Sequence, residues 1–239
     1  MTTPRLSAPV LVHPSELKSS PKLTSQITSL INEAFRCSKL SNPEKWNFDR
    51  PRFPTHESYY EMLVEETIVA LIFDQNAPQG DINDAVGDER ERISQDEGAV
   101  NGRVVACAAA VPWKGGWARE GAGKEEGWEI KAVAVNGDAT YLRKGLAVQV
   151  MASLENHLIE KTKAQLKASL PRGAAPQESE QVESLILWIL AAECINGAYW
   201  RKRGYHEVRR TTEGQGTWGC KTSFDIVVFR KDVKYNISI

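Results

Sequence analysis

A chain of 239 residues, 41% hydrophobic and 26% charged, can bury a core without disulfides or metals and has the balance of a soluble globular protein. A net charge of −1 lacks the basic excess that nucleic acid or a membrane surface demands, so neither is expected as a partner. No apolar run approaches the roughly 20 residues of a membrane helix, and the N-terminus lacks a signal-peptide core. The four scattered cysteines have no metal-ligand spacing, so no metal is expected. Free thiols point to a reducing compartment, the cytoplasm, with the nucleus left open.

In chain order, Pro9 to His13 reads as a strand. Leu23 to Phe35 carries a helical stripe at 23, 27, 30, 31, 34 and 35, and a shorter helix follows from His56 to Glu65. Thr67 to Phe73 (TIVALIF) is short, β-branched and nearly all apolar, a buried strand. Asp74 to Gly102 is rich in Asp, Glu, Gly and Asn; between Asp81 and Glu97 lie seven acidic and two basic residues. Such a stretch cannot bury enough apolar surface to order itself, and limited proteolysis is expected to cut there first. Uniform protection of that stretch, with cuts elsewhere, would contradict this.

Val104 to Val111 resumes as a strand, and Pro112 to Gly127 is a loop bearing Trp113 and Trp117. Trp128 to Val135 is a strand. A helix from about Arg143 to Lys163 places Leu146, Val150, Leu154 and Leu158 at i, i+4 spacing. A second polar insertion spans Lys167 to Glu180. Leu185 to Ala192 (LILWILAA) is a buried strand, and Asn196 to Arg203 a short helix ended by Gly204. Two strands close the chain, one of them Phe224 to Val233. The order β, α, α, β, β, β, α, β, α, β, β disfavours a fully parallel sheet. It predicts one domain over residues 1–239, an α/β fold with a mixed, mostly antiparallel sheet covered by helices on both faces. Its polar insertions fall near 75–102 and 164–182.

Between the third inner strand and the long helix stands Leu142-Arg143-Lys144-Gly145-Leu146-Ala147. A strand feeding a basic, glycine-bearing turn at a helix start suits a pyrophosphate. The first-turn N–H groups lack intrahelical partners, and the helix dipole favours an anion there. No Gly-x-Gly-x-x-Gly follows the first strand and no Walker lysine pattern is present, which argues against a nucleotide-binding protein of Rossmann type.

This element order, the turn, and the ending Asn196-Gly-Ala-Tyr-Trp-Arg-Lys-Arg-Gly204-Tyr205 together resemble the GNAT superfamily of acyl-CoA-dependent N-acyltransferases, over roughly Thr67 to Val233. The family turn reads Gln/Arg-x-x-Gly-x-Gly/Ala. Gly145 and Ala147 match it, Leu142 replaces the Gln or Arg, and Arg143 and Lys144 bring charge to the same turn. The resemblance implies that acetyl-CoA, or a close relative, is held by Arg143, Lys144, Gly145, Leu146 and Ala147 at its pyrophosphate. It implies too that the backbone of Val133, Ala134 and Val135 meets the pantetheine arm, and that Asn196 bonds a pantetheine amide. On residue type alone, Asn196 is also a good helix N-cap.

Chemistry on an activated thioester needs alignment, removal of a proton from the ammonium and polarisation of the carbonyl. Glu129 opens a strand that resembles the one bearing the general base in histone-acetylating members. A carboxylate buried beside Trp128 would have a raised pKa. Glu193 is the second candidate base. The family's general acid is a helix tyrosine four residues before the glycine; that place here is Trp200, with Tyr199 one residue, about 100°, away. Tyr199 is therefore the candidate acid. The function implied is transfer of an acetyl or short acyl group to a primary amine by direct attack in a ternary complex. The alternative is a non-catalytic acyl-CoA-binding module or scaffold, favoured by Leu142 and Trp200. Trp113 and Trp117 are candidate walls of an acceptor pocket and favour a small-molecule acceptor; a homodimer is left open.

Overall fold

The structure is a computed structural model that describes residues 3–77, 102–169 and 180–238. Among the described residues, seven strands join one sheet: β1 (Val10–Val12), β2 (Ile68–Asp74), β3 (Arg103–Pro112), β4 (Trp128–Val135), β5 (Glu180–Ala192), β6 (His206–Glu213) and β7 (Phe224–Ser238). Their order is β1-β2-β3-β4-β5-β7-β6, and every neighbouring pair is antiparallel except β4–β5. The mixed, mostly antiparallel sheet expected from the element order is therefore observed.

Helices cover both faces. One face carries α1 (Pro14–Ser19), α2 (Pro21–Leu40) and α3 (His56–Tyr60), whose Leu17, Ile27, Ile31 and Tyr59 pack on Val69, Leu71, Cys107 and Ala109. The other carries α4 (Leu146–Ser169) and α5 (Ala198–Lys202). There Leu146, Val150, Leu154 and Leu158, the i, i+4 stripe, are each at most 2% exposed and lie on Ile68, Ala70, Ala108 and Ala110. β2 and β3 are buried on both sides because their residues alternate between two covered faces. Alanines on β3 leave room for the helices, and each buried leucine contributes roughly 1.5–3 kcal/mol relative to exposure.

Several boundaries differ from the sequence expectation. α1 was not anticipated, and α3 stops at Tyr60 rather than Glu65. α4 begins at Leu146, not Arg143, because Arg143 and Gly145 adopt left-handed backbone, with φ of +60° and +75°. The second insertion is shorter than 164–182: α4 runs to Ser169 and β5 starts at Glu180. The first insertion, with Asp81 to Glu97, lies outside the described residues, flanked by the end of β2 and the start of β3. β6, a largely exposed edge strand, was not located by pattern.

Candidate functional site

The parallel pair β4–β5 is short. Among the described residues the two strands pair only at Trp128–Leu187 and Glu129–Trp188, and then part. Beyond that point the β5-side edge of β4 has no strand partner. The Asn136 N–H donates to the Val105 carbonyl on the β3 side, so alternation turns the Val135 peptide groups toward the open edge. The parting coincides with a bulge. Ala106–Val135 and Cys107–Ala134 are in register, as are Ala109–Lys131 and Ala110–Ile130, so Ala132 and Val133 together face Ala108. Ala132 carries the distortion at a φ of +51°, and the Cys107 thiol lies 3.5 Å from its carbonyl. Left-handed backbone at a non-glycine residue is strain of the kind that collects at functional sites.

Both strands lead into helices at the end where they part. β4 runs through the basic turn into α4. Tyr141, whose hydroxyl donates to Asp74 Oδ2 at 2.8 Å, and buried Leu146 fasten the turn on either side, leaving Leu142, Arg143, Lys144 and Gly145 exposed. The Gln149 N–H donates to the Gly145 carbonyl, which makes Gly145 the N-cap and leaves the N–H groups of Leu146 and Ala147 without intrahelical acceptors. A Cβ at Gly145 would meet nothing within 4 Å, so the turn is open to a ligand. A polar cavity of about 330 Å³, lined by Asp74, Arg103, Asn136 and Tyr141 among others, adjoins it.

β5 runs into a π-helical turn, Glu193–Gly197, and then α5. Asn196 sits inside the π turn, and Gly197, not Asn196, is the N-cap residue of α5. The N-cap reading of Asn196 is thereby corrected: the wide turn carries its side chain away from the α5 N–H groups. Its Oδ1 is instead buried without a hydrogen-bond partner among the described residues, as are the Tyr199 hydroxyl and Trp200 Nε1. An unpaired buried polar atom costs about 1–3 kcal/mol, and three such atoms fall within this one short segment. Tyr199 and Trp200 meet edge to face at 4.9 Å, and Trp200 is 5% exposed. A crevice between the diverging C-terminal ends of adjacent parallel strands, flanked by the starts of two helices, is where α/β sheets hold ligands.

Glu129 stands at the last β4–β5 pair. It is 5% exposed, and alternation with Ile130, which joins the α4-side core, turns it to the face carrying α1, α2 and α3. Burial raises its pKa above the ordinary carboxylate value, opposed by Lys131, whose Nζ lies 3.2 Å from Oε2, and by Arg52 and Lys114. Glu193 is in the opposite condition. Arg201 grips its carboxylate at 2.7 and 2.9 Å, Arg210 adds a contact at 3.3 Å, and these cations hold its pKa down. Glu129 thus stands at the end of the β4–β5 pairing, the basic turn follows β4 and the turn with Asn196 and Tyr199 follows β5, while Glu193 is tied into an ion-pair network.

Trp113 does not wall an open pocket. Its ring stacks on Trp188 at 4.7 Å and 3°, and its Nε1 donates to Glu125. Arg209 of β6 holds Glu125 and Glu120 at 2.9 and 3.0 Å, so the loop between β3 and β4 is strapped across the sheet. Trp117, 41% exposed, meets Trp218 edge-on at 5.5 Å. Sequence reading missed Lys131, Arg52, Lys114 and the bulge. Of these only Lys131 left a signal, its i+2 spacing from Glu129.

No protein-family model matches the chain, and no curated protein matches it in sequence. Solved structures do. A presumed acetyltransferase from Acinetobacter baylyi ADP1 aligns over 98% of this chain and 94% of its own, at 10% identity and a TM-score of 0.50. The ribosomal-protein-alanine N-acetyltransferase of Brucella melitensis aligns over 94% and 99%, at 15% identity and a TM-score of 0.43. An Arabidopsis thaliana NAA60 structure in complex with acetyl-CoA aligns over 96% and 99%, at 12% identity and a TM-score of 0.42. The chain has the GNAT fold. Among the described residues no helix is long and apolar enough to cross a membrane, and no cluster of His, Cys, Asp and Glu is arranged to hold a metal ion.

Proposed function

We propose that this chain is an N-acyltransferase that moves an acetyl or short acyl group from acyl-CoA to a primary amine. The observation that carries the reading is the parting of β4 from β5 just beyond a buried carboxylate of raised pKa, with β4 leading into the basic turn and β5 into a segment that holds three buried polar atoms without partners among the described residues. The residues fit the cosubstrate. The N–H groups of Leu146 and Ala147, with Arg143 and Lys144, would take the pyrophosphate beside Gly145. The open edge at Val133, Ala134 and Val135 would meet the extended arm, and Asn196 would accept from an amide N–H of that arm. Glu129 and Val135 are roughly 20 Å apart at about 3.3 Å per strand residue, a span suited to an extended chain.

The amine approaches from the face that Glu129 occupies. Glu129 accepts a proton from the ammonium, and the freed nitrogen attacks the thioester carbonyl directly. A backbone N–H of the bulged stretch is the donor that polarises the carbonyl oxygen. The C–S bond then breaks; Tyr199 gives its proton to the leaving thiolate and is reprotonated by the second proton that the nitrogen sheds as the amide forms. Glu193, held by two arginines, is assigned no proton transfer. Tyr199→Phe is expected to lower turnover roughly 10–100-fold, with CoA affinity nearly unchanged and no recovery at high pH. Retention of full turnover, or recovery at high pH, would leave water as the proton donor.

Trp200 favours a second reading, a CoA-binding module without chemistry, because an indole N–H does not protonate a thiolate. CoA release with a panel of amines, run beside a direct CoA titration, separates the two. Tight binding with no release for any amine selects the module. Absence of binding removes both.

A further inference from the structure

The segment that follows β5 holds three buried polar atoms without partners among the described residues: Asn196 Oδ1, the Tyr199 hydroxyl and Trp200 Nε1. Atoms in that condition favour any rearrangement that pairs them or returns them to water. The π-helical turn that begins the segment is itself a rare backbone form. Both facts require something that holds the segment in this shape, and the ion pairs around Glu193 supply it.

Glu193 opens the turn, and Arg201 lies in α5, eight residues on. Arg201 donates from Nη1 to Glu193 Oε1 at 2.7 Å and from Nη2 to Oε2 at 2.9 Å, a two-point contact that sets orientation as well as distance. The same Nη2 donates to Glu207 Oε2 of β6 at 2.8 Å, and the guanidinium lies 5.1 Å from the centre of the Phe229 ring on β7. Arg210 of β6 in turn donates to Glu207 at 2.8 and 2.9 Å and to Asp225 of β7 at 2.8 Å. The turn and α5 are thereby moored to the two strands beside them. A single partly exposed pair contributes little to stability. Here Arg201 is already fixed by Glu207 and Phe229, so the contact with Glu193 forms with little further loss of freedom.

A glycine in the turn shows how closely this carboxylate packs. Gly197 has ordinary helical backbone, with φ of −55° and ψ of −46°, which any residue adopts. Yet a Cβ there would stand 2.6 Å from Glu193 Oε1 and 2.7 Å from its Cδ. Glycine is needed at this position for the room it leaves, because the Glu193 carboxylate rests against the backbone next to Asn196. We propose, on the reading that acyl-CoA binds where β4 and β5 part, that Glu193 and Arg201 are positioning residues. Their ion pair holds the wide turn so that Asn196 Oδ1 stays unpaired until an amide N–H of the pantetheine arm reaches it.

The test titrates the full chain calorimetrically with CoA and with adenosine 3′-phosphate 5′-diphosphate, the part of CoA that lacks the arm. Asn196→Ala is expected to weaken CoA about 10-fold and to leave the nucleotide unchanged. Glu193→Gln and Arg201→Gln should each do the same, and Arg201→Lys should keep part of the lost affinity. Gly197→Ala should also do the same, because its methyl displaces the carboxylate, although alanine favours a helix over glycine. In the Asn196→Ala background, Glu193→Gln should cost nothing more, since both act through one contact. A general structural defect would weaken both ligands together, and independent contacts would give losses that multiply; either result would overturn the proposal. Unchanged CoA affinity in Glu193→Gln, with loss in Asn196→Ala, would overturn it and leave the acyl-CoA reading intact. Unchanged CoA affinity in Asn196→Ala would remove the pantetheine contact, and absence of CoA binding by the wild type would remove the whole reading; each takes the proposal with it.

Discussion

Glu129→Gln is expected to lower turnover roughly 10²–10⁴-fold, the scale of general-base assistance, while CoA affinity barely changes, because the cosubstrate is assigned to backbone farther along β4. The variant should gain rate as pH rises, since more of the acceptor is then already deprotonated. The wild type should show an acid limb set by a group titrating above the ordinary carboxylate range, and the variant should lack it. Stability should move the other way. Burial raises the Glu129 pKa above its ordinary value of 4.5. Between that value and the raised one, the folded state holds a proton that the unfolded chain has released. Stability therefore falls as pH rises through this window and stays lower above it. Glutamine removes the titration, so the variant should melt higher than the wild type at pH 8, with the gap narrowing toward pH 4. Full turnover from pH 6 to 9 would dismiss Glu129 as the base, and a lower Tm at pH 8 would mean that its cation partners outweigh its burial.

Gly145→Glu is expected to weaken CoA binding about 100-fold. Gly145 has a φ of +75° and open space around a would-be Cβ, so nothing in the protein clashes with a side chain there. The left-handed backbone costs roughly 1 kcal/mol for any L residue, and Gly145→Ala measures that cost alone. The carboxylate adds charge. At roughly 5 Å from a phosphate and an effective dielectric of about 20, repulsion is about 3 kcal/mol, which is about two decades in affinity. Arg143→Ala should weaken binding only a few-fold, because its exposed side chain supplements backbone donors. Calorimetric titration with CoA decides the matter: equal affinity in wild type and Gly145→Glu would remove the pyrophosphate assignment and the transfer reading with it.

The elements that bury apolar surface were legible in the chain. Trp128 to Val135 is β4 to the residue, β2 and β3 were placed within a residue of their ends, and the leucine stripe of α4 faces the sheet as its spacing requires. Burial leaves a periodic apolar record, and that record can be read. β6 left none. HEVRRTTE is an exposed edge strand whose charges guard its free side, and its arginines serve ion pairs with the loop from β3 to β4 and with Glu193 and Glu207. The start of α4 was misjudged because left-handed backbone at Arg143 carries no residue signature, whereas at Gly145 it does.

The site divides in the same way. Glu129 could be singled out by sequence, since a carboxylate within an apolar strand stands out from its neighbours, and the glycine turn before an amphipathic helix could be singled out as the place proposed for the pyrophosphate. The sequence by itself therefore determined the sheet's inner strands, the long helix and the two chemical groups borne on them. Tertiary structure alone decided the rest. The bulge at Ala132 arises from register against β3, and nothing in Ile130-Lys131-Ala132-Val133 marks it. The parting of β4 from β5 follows from the paths of two strands far apart in the chain. Periodicity encodes what each segment buries, while convergence of side chains from different segments depends on how the segments pack, and only the folded chain fixes that.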